Sequence, residues 1–181
     1  FNTVPPKVLW VRPRENAELV DIETAVRVEF NQPVDPTSAQ QAFSLRTRAL
    51  GAISQQIEGA FTVQGSTLVF TPTNPLDFDT RYTVTVDAGV TSTAGGEGMV
   101  TSFSSQFTTV PLPRIVETSP RNGDRNASPY TNFRIVFNAP IDPDTVMPNL
   151  SMTPPLSPTQ VHTYYSSYNN TFVLNFGAQP S

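Results

Sequence analysis

Apolar and polar positions alternate with a period of two along most of the chain. Val26, Val28 and Phe30 are separated by Arg27 and Glu29, Tyr82, Val84 and Val86 by Thr83 and Thr85, and Phe103 and Phe107 enclose Ser104 and Gln106. This spacing turns every second side chain of an extended strand to one face, so each segment buries one side and wets the other. The pattern predicts strands over roughly 7–11, 24–31, 43–48, 55–63, 66–71, 81–88 and 100–109, separated by turn-forming Gly, Pro and Asn. One short helical turn interrupts the strands. Asp35-Pro36-Thr37-Ser38 sets a capping carboxylate before a proline at the first helical position, and Ala39-Gln40-Gln41-Ala42 continues it.

The alternation then repeats. Phe133, Ile135 and Phe137 stand where Val26, Val28 and Phe30 stand, and Asp142-Pro143 repeats Asp35-Pro36. At an offset of 107, Pro6–Leu45 matches Pro113–Met152 without a gap, with 11 identities in 40 positions. After a shortening of three residues, Thr67-Leu68-Val69-Phe70 falls on Thr171-Phe172-Val173-Leu174. A period near 100 residues is that of a domain and not of a solenoid repeat. The division expected is 1–112 for the first domain and 113–181 for the second. The joint Val110-Pro111-Leu112-Pro113 has two prolines and no glycine, which favours an extended, semi-rigid connection.

Short, evenly spaced strands of this kind make an all-β chain of two tandem antiparallel β-sandwiches. Leu76-Asp77-Phe78-Asp79-Thr80-Arg81-Tyr82 has the form of a tyrosine corner, in which the phenol ties back to an upstream backbone group. The second copy departs from the first. Ser181 corresponds to about residue 77, so nothing answers to the Tyr82 strand or to the Phe103/Phe107 strand. The second sandwich is expected to lack its C-terminal strands and to leave Phe133, Ile135, Phe137, Phe172 and Leu174 wet. Three explanations are open: the strands lie elsewhere in the same protein, a neighbouring subunit supplies them, or the second copy folds differently.

Composition narrows the chemistry. No cysteine is present, which excludes disulfides, thiolate metal sites and cysteine nucleophiles. The net charge of −4 argues against a nucleic-acid surface, and no apolar run is long enough to insert into a membrane as a helix. The opening Phe1-Asn2-Thr3-Val4-Pro5-Pro6 has no basic start and no apolar run, so the chain reads as a processed piece of a longer protein. Lys7 is the only lysine among 11 basic residues. Together with the Thr/Ser/Asn/Pro-rich composition, this suggests a secreted or cell-surface bacterial protein.

Candidate sites are few. His162 is the only imidazole, sits on the outward face of its strand, and has no Gly-x-Ser-x-Gly elbow to serve. Asp77/Asp79 and Asp142/Asp144 offer two carboxylates each, where calcium takes six to eight oxygens; they read as turn formers and a helix cap. No catalytic residue, metal ligand or cofactor site is expected. Tyr165 aligns with Phe61 and reads as core, while Tyr164 and Tyr168 align with Ala60 and Gln64 and stand as candidate partner-binding aromatics. Trp10 aligns with Glu117, so the fold does not require an aromatic core residue there. Asn126, Asn149 and Asn169 fit the glycosylation acceptor pattern, which by default has no meaning in a bacterial protein. An isopeptide staple is confined to Lys7 in the first copy, and none is expected.

Pro13-Arg14, the run Val26–Pro36, Leu68-Val69-Phe70-Thr71-Pro72, Pro75-Leu76, Thr80–Val86 and the loop Thr93-Ala94-Gly95-Gly96 together resemble the SbsA-type bacterial Ig-like domain. The resemblance covers nearly all of the first copy and about two-thirds of a second. It implies a β-sandwich of the kind found in surface-layer proteins, in adhesin-like proteins, and ahead of bacterial alpha-2-macroglobulin-like protease traps. The expectation is a non-enzymatic structural or assembly module acting as a rigid spacer. The alternatives are an adhesion or ligand-binding module, with contacts from loops or from Tyr164 and Tyr168, and an N-terminal module of such a trap, whose thioester cysteine is absent here. Its partner is then the remaining part of the same protein, or a neighbouring subunit, completing the second domain.

Overall fold

The computed structural model describes residues 4–47, 54–128, 131–153 and 161–176. The chain divides into two compact units, 1–111 and 112–181. Each β-rich unit is organised around the alternation seen in the sequence.

The first unit contains two four-stranded sheets. Strands β1 (Val8–Arg12), β3 (Val26–Phe30), β6 (Thr67–Pro72) and β5 (Gly59–Gln64) form one, in that order and antiparallel throughout. Strands β2 (Ala17–Val20), β8 (Phe103–Thr109), β7 (Arg81–Val86) and β4 (Phe43–Thr47) form the other. Val26, Val28, Phe30, Leu68 and Phe70 from the first sheet join Leu45, Tyr82, Val84, Val86 and Phe107 from the second in one buried cluster. Interlocking rings fill part of it. Phe43, Phe61 and Phe70 lie with centroids 4.9–5.6 Å apart, and Tyr82 stacks on Phe107 at 5.6 Å.

The helical turn forms as α1 (Pro36–Ala42). The Asp35 carboxylate accepts from Ser38 N–H at 2.8 Å, Pro36 occupies the first turn, and Ala39 and Ala42 are buried. The tyrosine corner also forms: Asp77 N–H donates to the Tyr82 hydroxyl at 2.8 Å. Thr109 closes the same corner, its hydroxyl donating to Asp77 O at 2.6 Å.

Two features of this unit differ from the alternation-based expectation. The segment predicted over 55–63 pairs as a strand only from Gly59, with Gln56 making an isolated bridge to Arg46. Strand β2 is unpredicted, and its pairing with β8 is parallel, with Ala17 opposite Phe107 and Val20 opposite Thr109. Four residues, one of them Leu19 with a φ of 54°, are too few and too irregular to show a period of two. Pairing with β8 draws them into the sheet.

Among its described residues the second unit has one sheet, with β11 (Val161–Ser166), β12 (Thr171–Phe176), β10 (Phe133–Phe137) and β9 (Ile115–Ser119) in that order. This repeats the order β5-β6-β3-β1. No counterpart of the β2-β8-β7-β4 sheet is present among the described residues. The expected wet face is corrected in part: Ile135, Phe172 and Leu174 are buried, and Phe133 and Phe137 partly so. Val146 and Leu150 pack over them, together with Val161, Tyr165 and Phe176. The segment carrying Val146 and Leu150 forms two 3-10 turns, Pro143–Thr145 and Met147–Asn149, in place of an α-helix. Pro148 stands where Gln41 stands in α1, and a proline there has no N–H for the helix and crowds the preceding turn.

The hairpin β11–β12 also corrects the alignment. In the first copy Gln64 faces Thr67 across a two-residue turn with Gly65 at a φ of 60°, whereas Ser166 faces Thr171 across four residues ending in Asn170 at a φ of 50°. Tyr165 therefore lies opposite Phe172 and takes the place of Val63, not that of Phe61. A two-residue slip preserves the face, so the inward and outward assignments survive it.

Both units fasten their first strand in the same way. Asn31 Oδ1 accepts from Lys7 N–H at 2.8 Å and its amide reaches Pro5 O at 3.4 Å; Asn138 Oδ1 accepts from Arg114 N–H at 2.7 Å and its amide reaches Leu112 O at 3.3 Å. Replacing Asn31 with Ala is expected to cost the first unit about 1 kcal/mol, the net worth of partly solvated bonds. Denaturant melts of that variant and of Asn138→Ala should each affect only their own unit.

Glu29, on the outer side of β3, accepts from the Ser66 hydroxyl at 2.5 Å and the Thr67 hydroxyl at 2.6 Å. The Ser66 bond, then the Thr67 bond, hold its carboxyl below the ordinary glutamate value, with a smaller contribution from the Arg27 charge and against partial burial. A carboxyl lowered in the folded state contributes stability that is present above the unfolded pKa and disappears as pH falls through the folded one. Wild type should therefore be more stable than Glu29→Gln at neutral pH, and the two should converge in acid. Equilibrium melts taken down through the carboxylate range measure this.

Candidate functional site

The second unit presents two surfaces that the sheet does not use for its own packing. The first is aromatic. Tyr164 sits mid-strand in β11 on the outward side, paired across to Val173, and is 62% exposed. Tyr168 stands in the four-residue turn between β11 and β12 and is 98% exposed. The lengthened turn projects it, because its position has no counterpart in the two-residue turn at Gly65. The two residues thus belong to one hairpin, one on its face and one at its tip. No ring contact joins them among the described residues.

The second surface is an apolar cleft of about 420 Å³ in the sheet's inner face. Ile135 and Phe137 from β10 and Ile115 from β9 form its floor, and Val146 and Leu150, which flank the second 3-10 turn, form a wall. Ile141 continues that wall, and Asp142 lies at its rim, where its carboxylate accepts from Asp144 N–H at 3.1 Å. Such a lining supplies shape and apolar area, with little to activate a substrate. Reading the sequence for chemistry overlooked Ile141, Val146 and Leu150. The signal available was their alignment, at the offset of 107, with Val34, Ala39 and Phe43, all buried in the first unit.

The other candidates do not converge on one another, although His162 shares the outward face of β11 with Tyr164 and Asn149 lines the cleft. His162 is exposed on β11, opposite Asn175. Asp77 and Asp79 belong to the tyrosine corner, where Asp79 N–H donates to Val110 O. Among the described residues no group of three His, Asp or Glu side chains is placed to hold a metal ion. Burial pushes the Tyr82 phenol above its ordinary value, partly offset by the Asp77 bond, which keeps it protonated and structural. Trp10 is exposed beside a bulge at Leu9 in edge strand β1, with the Arg12 guanidinium 5.8 Å from its ring centroid. The same bulge recurs at Val116 in β9. A bulge at an edge strand discourages pairing with another chain. Asn149 donates to Thr145 O at 2.9 Å, holding the second 3-10 turn.

Comparison with known proteins gives the fold a family. No curated protein matches the chain. Among solved structures, domains 1–6 of the surface-layer protein SbsC match over 74% of this chain at 21% identity and a TM-score of 0.43, and the chain spans 18% of that structure. CopC from Methylosinus trichosporium OB3b matches over 59% of this chain and 94% of its own, at 16% identity and a TM-score of 0.43. L,D-transpeptidase 1 of Mycobacterium tuberculosis matches over 88% of this chain and 74% of its own, at 17% identity and a TM-score of 0.42. The family described as bacterial Ig-like domain matches twice, over residues 2–109 and 111–179. Two adjacent matches that together span almost the whole sequence establish that the chain belongs to the bacterial Ig-like domain family.

Proposed function

We propose that the chain is a non-enzymatic structural spacer in a secreted or cell-surface bacterial protein. The observation that carries this reading is the parallel pairing of β2 with β8. Tension applied to the two ends of the first unit pulls β2 backward and β8 forward along a shared axis. The bonds between them then bear load together in shear: Asn16 N–H to Gln106 O at 2.7 Å and Val110 N–H to Val20 O at 2.8 Å. The Glu15 carboxylate, accepting from Gln106 N–H at 2.9 Å, adds to them. Loading several bonds at once raises the barrier to forced unfolding, the rate that governs a spacer under tension. Tandem membership of a bacterial Ig-like family, the absence of cysteine and the single lysine support the extracytoplasmic address.

Single-molecule pulling tests the reading. The first unit should rupture in one cooperative event, and Val110→Pro, which removes the N–H bonded to Val20 O, should lower the rupture force. Equal forces for the two chains would remove the clamp from the account. A second reading, adhesion, is favoured by the projection of Tyr168 and the exposure of Tyr164 on one hairpin. The double variant Tyr164→Ala, Tyr168→Ala separates the two: a spacer loses no attachment to glycans or surfaces, and an adhesin does.

A further inference from the structure

Equivalent residues of the two units show where the second is uncovered. Val8 of β1 is 6% exposed and its counterpart Ile115 is 56% exposed; Leu45 of β4 is 1% exposed and its counterpart Met152 is 37% exposed. In the first unit β4 is held by β7 through five facing pairs, from Phe43 with Val86 to Thr47 with Tyr82. Leu150, the counterpart of Phe43, is equally extended, at φ −103° and ψ 123°, yet residues 150–152 form no strand. The cleft of about 420 Å³ opens beside this segment.

Independently of the spacer reading, we propose that this cleft and the edge at residues 150–152 dock an antiparallel strand pair with the pattern of β7 and β8. That pair belongs to the same protein, outside residues 1–181. One strand ladders onto 150–152 as β7 does onto β4, and its alternate apolar side chains enter between Ile135 and Leu150. The sister unit is the precedent, because the same sheet order there is covered by just such a pair. A second copy of this chain is a poor donor. Its own β7 and β8 are committed to a core in which Tyr82, Val84 and Phe107 are buried, and lending them would expose it.

The test appends a copy of residues 78–112 after Ser181, where the offset of 104 makes Phe78 the next residue in register. The readout is peroxide oxidation of the three methionines by peptide mapping, with molar mass in solution. Met152 should be as reactive as the exposed Met147 in the 181-residue monomer. In the extended chain it should slow by about tenfold or more, as an exposed thioether that becomes buried does. Met147 aligns with exposed Gln40 and should not change, while buried Met99 reports that the first unit stays folded. An extension carrying Asp at the copies of Val84 and Phe107 should give no protection. The proposal is overturned if Met152 stays as reactive as Met147 in the extended chain, or if the Asp-bearing extension protects it equally. It is also overturned if the 181-residue chain is a dimer that already shields Met152, which would assign the face to a second copy.

Discussion

Tyr82→Ala is expected to unfold the first unit under conditions where wild type is folded, with a loss of about 3–5 kcal/mol. Two losses coincide at this residue. Its ring is completely buried and stacks on Phe107, so truncation leaves a cavity where the second sheet's inward residues meet. Its hydroxyl is the acceptor for Asp77 N–H, which the shorter side chain leaves without that partner. The corner then rests on the Thr109 hydroxyl bonded to Asp77 O and on Asp79 N–H bonded to Val110 O. Tyr82→Phe separates these losses. It keeps the ring and removes only the hydroxyl, and should cost about 1 kcal/mol, the net worth of a part-buried hydrogen bond. Chemical denaturation followed by the intrinsic fluorescence of Trp10, the chain's only tryptophan, reads both variants.

Leu174→Ala should be almost as costly and more consequential, at about 2–5 kcal/mol. In the second unit the fully buried apolar set on the sheet is Ile135, Phe172 and Leu174, supported by partly buried neighbours. In the first unit the corresponding cluster draws on two sheets and a helix. A loss of this size approaches the whole stability of a small domain, so the second unit should melt out while the first remains. The equivalent change Phe70→Ala should lower the transition of the first unit and leave that of the second in place. Two-phase thermal melts, with the lower transition lost only in Leu174→Ala, measure the difference.

The parts of the fold legible in the sequence were those set by short-range physics. The period of two marks β3, β7 and β8 because each buries one face against a core. The Asp-Pro cap marks α1 because one carboxylate and one fixed φ suffice to start a helix. The phenol of Tyr82, five residues after Asp77, marks the corner. What escaped depends on partners distant in the chain. Strand β2 exists because β8 lies beside it. The role of Asn31 and Asn138, visible only as a repeated Phe-Asn, depends on the backbone of Pro5, Lys7, Leu112 and Arg114. Burial of Ile135, Phe172 and Leu174 depends on Val146 and Leu150 folding over a face that was expected to stay wet. Tyr164 and Tyr168 were singled out from the sequence, but the lengthened turn that carries Tyr168 outward was not. The repeat alignment assumed equal hairpins and so misplaced Tyr165 by two residues.

Among the described residues the first unit is a two-sheet sandwich and the second unit carries one sheet. Residue-resolved hydrogen exchange on the 181-residue chain tests it most directly. The amides of 43–47, laddered to β7, should exchange only when the first unit unfolds, while those of Ser151 and Met152 should exchange freely even as β10 and β12 stay protected. Protection at 151–152 as strong as that at 44–45 would contradict the account, because it would require a second sheet in the second unit.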